Sequence, residues 1–177
     1  QDLRADGYGA FFIAIGAQKG ASLGLKGEEL EGVINGVDFL RSVNLDQTKR
    51  LDGQVVVVGG GNVAIDVART AVRDGATLVN LYCLESASEM PALQEEQDEA
   101  KGEGIALNNG WGPKRIIAKN GKVTGVEFKK CVSVFENGEF APKYDENVTI
   151  TVEASTVLLA IGQVIEWGNL IEGEKFI

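Results

Sequence analysis

The stretch from Gln54 to Glu85 constrains this chain more than any other. Val55 to Val58 are four valines in a row, which read as a strand. Gly59-Gly60-Gly61-Asn62-Val63-Ala64 follows, a G-x-G-x-x-A. Val63, Ala64, Val67, Ala68, Ala71 and Val72 then recur on one face of a 3.6-residue period. Gly75 stands where such a helix needs a left-handed residue after its C-cap. A second apolar run, Leu78 to Leu84, ends in Glu85. Strand, glycine turn, helix, strand and acidic terminus together predict a dinucleotide-binding unit.

Each part has a physical role in that reading. Gly59 makes the tight turn out of the strand, and Gly61, with no Cβ, lets the backbone approach a pyrophosphate. Ala64 is small enough for the helix to pack against its strand. Gly60, Gly61, Asn62 and Val63 bring unpaired N–H groups and the positive end of the helix dipole towards the phosphates. Asn62 is expected either to cap the helix or to hydrogen-bond to the ligand. Glu85 lies 24 residues after Gly61, where a carboxylate accepts hydrogen bonds from ribose hydroxyls and repels a 2′-phosphate. Taken singly, the glycines could mark only a turn and Glu85 only a solvated acid. The succession of parts favours the nucleotide.

The rest of the sequence narrows the class. The length of 177 residues suits one domain, or one and a part, and the apolar fraction of 44% is that of a soluble globular protein. No apolar run approaches a membrane span and no signal peptide is visible, so a cytoplasmic location is expected. The chain begins at Gln1 rather than Met, which suggests a cut fragment. A net charge of −9 without a basic stripe argues against nucleic acid. Cys83 and Cys131 form neither C-x-x-C nor zinc spacing and are expected as reduced structural thiols. There is no histidine, so Ser-His-Asp catalysis and histidine metal ligands are excluded. Hydride transfer is not, because a cofactor carries that chemistry.

Along the chain, Gly9 to Ile15 reads as a buried strand ending at Gly16. Residues 20 to 36, punctuated by glycines, read as loop. Gly36 to Asn44 reads as a short amphipathic helix, and Leu45 to Gly53 as a linker. After Glu85 comes an acidic stretch read as a solvated helix, with Pro91 in its first turn and Gly102 or Gly104 at its end. No Lys or Arg lies within the ten residues after Glu85, which leans towards NAD. Asp66 and Arg69 stand three apart, as a surface ion pair would. Ile105 to Leu107 reads as a third strand. Asn120-Gly121 and Asn137-Gly138 between alternating runs predict hairpins, with a bulge near Gly125. Trp111 and Trp167 are read as packing residues. Val148 to Val152 reads as another strand. Val157 to Gly162, ending in Ala-Ile-Gly, echoes Phe11 to Gly16.

These pieces, in this order, resemble one family. Ala14-Ile15-Gly16-Ala17, Gly32-Val33, Asp38-Phe39-Leu40, the run VVVVGGGNVAIDVAR from Val55 to Arg69, Glu89-Met90-Pro91-Ala92 and Ala160-Ile161-Gly162-Gln163 are similar to the NAD(P)H-binding domain of the glutamate synthase small (beta) subunit and its flavoprotein relatives, of the pyridine nucleotide-disulphide oxidoreductase class. The resemblance implies an FAD domain split in sequence, with the two Ala-Ile-Gly strands at the crossings. It implies residues 1–45 as a remnant of the FAD-domain first segment with a linker, 46–155 as the NAD(P)H-binding domain, and 156–177 as the return strand. It also implies hydride delivery from nicotinamide C4 to flavin N5 with no side-chain acid or base, and electrons passed to iron–sulphur clusters or a large-subunit partner. In NADPH-using relatives arginines follow the second strand; here the segment is Cys83-Leu84-Glu85-Ser86-Ala87-Ser88, so NADH is expected over NADPH.

The expected fold is therefore α/β: a Rossmann-like parallel sheet with a glycine-rich nucleotide turn and a small antiparallel meander, flanked by remnants of a split FAD domain. The expected nucleotide-binding residues are Gly59, Gly60, Gly61, Asn62, Val63, Glu85, Ile161 and Gly162, with no catalytic side chain and no metal. FAD is expected in the full-length protein, and the fragment alone is expected to be inactive. The competing reading is a non-catalytic nucleotide-sensing or interaction module. A one-domain dehydrogenase is weaker, because there is no room for a substrate domain.

Overall fold

A computed structural model describes residue 3, residues 5–47 and residues 50–170. The elements in chain order are β1 (Lys19–Gly20), β2 (Val33–Asn35), α1 (Gly36–Asn44), β3 (Gln54–Val58), α2 (Asn62–Arg73), β4 (Leu78–Cys83), α3 (Gln94–Gly102), β5 (Ala106–Asn109), β6 (Trp111–Lys119), β7 (Lys122–Glu136), β8 (Glu139–Glu153), β9 (Thr156–Leu159) and β10 (Gln163–Val164). Five strands form a parallel sheet in the order β2-β9-β3-β4-β5, and β6-β7-β8 form an antiparallel sheet. The fold is α/β, as the sequence predicts.

The valine strand explains the layering. Val55 and Val57 belong to a core with Ala64, Ile65, Val67, Ala68 and Ala71 of α2 and Phe39 of α1. Val56 and Val58 face the other way, into a second core with Tyr82 and with Val126 and Phe128 of β7. Alternating side chains thus bury both faces of one strand. The rings of Tyr82 and Phe128 stack at 4.3 Å between centroids, joining the two sheets.

Helix α2 ends as its sequence foretells. The N–H of Gly75 donates to Val72 O and that of Ala76 to Ala71 O, with Gly75 at φ 114°. This is the double bond of a Schellman cap. Both hairpins are also confirmed: Asn120-Gly121 and Asn137-Gly138 have all four φ angles between 53° and 82°, the left-handed pairs that a two-residue turn between twisted strands requires. The irregularity expected near Gly125 is a register shift in β6–β7 between Ile117 and Ala118.

Several expectations are corrected. Gly9 to Ile15 forms no strand, and Phe12 is 95% exposed. Apolar composition records a need for burial, not the surface that meets it, and neither core of the described residues includes this run. The glycine-punctuated segment contains β1 and β2; two- and three-residue strands leave no readable period. Strand β9 lies between β2 and β3, pairing Val157 with both Val33 and Val56, so segments from either side of 45/46 and 155/156 meet in one sheet. Beyond it, β10 pairs antiparallel with β1, and the N–H of Ala21 donates to Gly162 O at 3.0 Å. The segments after the two Ala-Ile-Gly motifs therefore run side by side. Residues 48–49 of the expected linker and 171–177 of the expected return segment lie outside the described residues.

Two further corrections concern α3. It starts at Gln94, after Pro91 rather than around it. Nor is it merely a solvated face: Arg69 of α2 reaches Glu96 at 3.2 Å, Glu99 at 2.6 Å and Glu103 at 2.9 Å, and Arg73 also reaches Glu103. Arg69 thus bridges two helices instead of pairing with Asp66. Burial works to raise the Glu103 pKa, but the hydrogen bonds from Arg69 and Arg73 outweigh it and hold the carboxyl below its usual value.

Candidate functional site

The site is built where β3 and β4 end. The parallel register places Val58 beside Tyr82 and Leu159, so the turns after three strands open on one edge of the sheet. That edge, at the carboxyl ends of the strands, is where open α/β sheets receive ligands.

The three glycines differ in what they serve. Gly59 has φ +145°, and a Cβ there would lie 2.2 Å from the Ala160 carbonyl oxygen, so its bareness is required by β9. A Cβ on Gly60 would lie 2.7 Å from Glu85 Oε2 and 3.1 Å from Cys83 Cβ, so its bareness makes room for the acidic residue itself. Around Gly61 there is nothing within 4 Å of a Cβ position. Protein contacts therefore do not explain that glycine, and the space above it is open.

Gly61 is the N-cap of α2 and has no side-chain cap. The first bonds of the helix run from Ala64 and Ile65 to Gly61 O. The N–H groups of Asn62 and Val63 precede them, at the positively polarised end of a twelve-residue helix. Asn62 does not cap the helix. Its Oδ1 accepts from the N–H of Leu93 at 2.8 Å, while the N–H of Ala92 donates to Gly60 O at 3.0 Å. These two bonds staple the Met90-Pro91-Ala92 loop to the glycine turn, a role that sequence spacing could not reveal because the partners lie about thirty residues apart.

Glu85 is half-buried just beyond β4, with its carboxylate over the glycine turn. Its carbonyl accepts from the N–H of Gly110, whose own carbonyl accepts from the N–H of Cys131, each at 2.9 Å. That chain of bonds ties the acidic residue to β7. Ile161 packs against the second core, and Gly162 is exposed at φ +119° with open space about it. Gly59, Gly60, Gly61, Asn62, Val63 and Glu85 are thus brought together; Ile161 and Gly162 follow the strand that abuts Gly59.

Burial, reinforced by the negative charge of Glu85, pushes the Cys83 thiol up to about 12 from a usual value of 9.0. Burial also raises the Cys131 thiol. The folded chain should therefore leave both thiols nearly inert to a disulfide reagent at neutral pH, with reaction released by denaturant; rapid reaction of Cys83 in the native state would contradict this placement. Because the folded value is the higher one, the stability this contributes is complete below about 9 and is lost as pH rises towards about 12. Both cysteines are free. No group of three metal-ligating side chains occurs among the described residues, and none of their helices is long and apolar enough to cross a membrane.

Residues 1–171 match the family of pyridine nucleotide-disulphide oxidoreductases. The chain is 37% identical over 167 residues to the NADP(+)-dependent formate dehydrogenase subunit beta of Moorella thermoacetica, covering 90% of this chain and 23% of that protein. It is 31% identical over 183 residues to the Glutamate synthase [NADPH] small chain of Escherichia coli (strain K12), covering 91% of this chain and 37% of that protein. The chain therefore spans well under half the length of either relative. Among solved structures, Mycobacterium tuberculosis FprA in complex with NADPH superposes with a TM-score of 0.71 at 19% identity, over 85% of this chain and 49% of that one, which shows the shared fold. A glycine turn at a parallel sheet edge, an acidic residue beside it and a match along nearly the whole sequence have one common meaning: this chain belongs to the pyridine nucleotide-disulphide oxidoreductase family.

Proposed function

We propose that this chain is the NADH-binding domain of an FAD-dependent oxidoreductase of the glutamate synthase small-subunit type. The observation that carries the reading is the open space at Gly61, the N-cap of α2, next to the residues Asn62 and Val63 that begin the helix. An anion fits there because the helix end offers donors and a positive field with no side chain in the way. Gly59, Gly60, Gly61, Asn62 and Val63 hold the pyrophosphate, Glu85 holds the adenosine ribose, and Ile161 with Gly162 line the nicotinamide end.

The bound nicotinamide supplies the hydride. The chain's own residues would orient it, and no side chain would act as acid or base. FAD belongs to a domain that the described residues do not form. Phe12, Ile13 and Ile15 before β1 and Val164 and Ile165 at β10 are all exposed, and an FAD domain would cover them. Electrons then pass to an iron–sulphur domain or large-subunit partner, in the reducing cytoplasm where both thiols stay free.

NADH is preferred because a carboxylate, rather than arginine, follows β4. The two curated relatives described above carry NADP in their names, so this preference is a property of this chain's own loop. Glu85→Ala is the test: NADH binding should weaken roughly tenfold, as for one lost charge-assisted contact, while NADPH weakens less or improves. Equal loss for both nucleotides would remove Glu85 from the ribose.

A further inference from the structure

A cavity of about 270 Å³ lies at the carboxyl end of β4, walled by Leu84, Ser86 and Glu89 on either side of Glu85 in the chain, by Asn109 at the end of β5 and Gly110 after it, and by Lys130 and Cys131 of β7. The sheet edge accounts for the first two walls. The third comes from the antiparallel sheet, which a dinucleotide-binding unit does not itself require. Lys130 is the cation on that wall. It lies at a register shift of β7, between Lys129 and Lys130, which breaks the alternation that would otherwise fix its direction from sequence. Its Nζ stands 2.8 Å from the point a Cβ on Gly110 would occupy, and Gly110 is the residue bonded to the Glu85 carbonyl. The ammonium stands over the Trp111 ring at 4.9 Å. Its neighbour Lys129 is engaged by Glu146 at 2.6 Å, whereas none of the ion pairs among the described residues includes Lys130.

We infer that Lys130 is a specificity-determining residue for the nucleotide: it faces the adenosine ribose from the side opposite Glu85 and holds a phosphate carried on the ribose 2′-oxygen. This rests on the proposed nucleotide site. Glu85 and Lys130 act in opposite senses on that phosphate, the carboxylate repelling it and the ammonium attracting it. Glu89 and Lys130 line one cavity, together with Leu84 and Ser86, which flank Glu85 in the chain. The site therefore prefers NADH without excluding NADPH. The cation is supplied by β7 in place of the loop that follows β4, where Ser86, Ala87 and Ser88 carry no charge.

The test is calorimetric titration of the full chain and of Lys130→Met and Lys130→Arg with NADH and NADPH at low salt. Lys130→Met keeps the apolar stem over Trp111 and removes the charge. It should weaken NADPH roughly tenfold while changing NADH less than about twofold, and Lys130→Arg should restore NADPH binding. The salt dependence of NADPH binding should also flatten in Lys130→Met. An unchanged ratio of the two affinities, or equal loss of both, overturns the role of Lys130 while leaving the nucleotide site standing. If NADH binding to the unaltered chain is absent, or is indifferent to Gly61→Val, the site itself is wrong and the inference falls with it.

Discussion

Gly61→Val should abolish NADH binding, by at least about 100-fold or roughly 2.8 kcal/mol, in a protein that still folds. The backbone at Gly61 has φ −89° and ψ 173°, an extended conformation that valine adopts freely. No protein atom lies within 4 Å of the new Cβ. The branched side chain instead fills the space in front of the Asn62 and Val63 N–H groups, where the pyrophosphate would lie. Losing glycine as N-cap costs stability on the order of 1 kcal/mol, too little to unfold the domain. Calorimetry for binding and thermal unfolding for stability separate the two effects. Normal binding by this variant would mean that the turn does not hold phosphates.

Gly59→Ala should have the opposite signature, a large loss of stability. The residue has φ +145°, and its Cβ would stand 2.2 Å from the carbonyl oxygen of Ala160 and 3.2 Å from Ala64 Cβ. Neither neighbour can yield cheaply. The N–H of Ala160 donates to Val58 O at 2.8 Å as the pairing of β3 with β9 continues, and Ala64 is fully buried in the core. A strained backbone and a broken strand end together cost about 3 kcal/mol or more, which lowers the unfolding midpoint by roughly 10 °C in a chain of this size. An unchanged midpoint would show that the turn is not built as described. Two glycines of one motif thus part company: the fold requires Gly59, while no protein contact requires Gly61, which the proposal gives to the ligand.

That separation marks how far the sequence could be read. The valine strand, α1, α2 with its Gly75 cap, and both Asn-Gly hairpins were legible because each depends on neighbours in the chain. So was the grouping of Gly59 to Val63 with Glu85, because a glycine turn and the acid after the next strand are joined by a fixed supersecondary unit. Long-range placement was not. Nothing local marks Val157 to Leu159 as the strand that lies between β2 and β3. The apolar run Phe11 to Ile15 looks like a core strand and is exposed. Arg69 has an acidic residue three positions before it and bridges to a different helix instead. Lys130 carries no signal at all, since its direction depends on a register shift set by β8.

The acidic end of β4 bears the most weight, because the curated relatives described above are named for NADP while this chain presents Glu85. The decisive measurement is therefore a calorimetric titration of the chain with NADH and, separately, NADPH at low salt. One site that binds NADH the more tightly is the expected result. NADPH bound as tightly as NADH, or more tightly, would contradict it and would move the proposed function towards the NADPH-driven relatives.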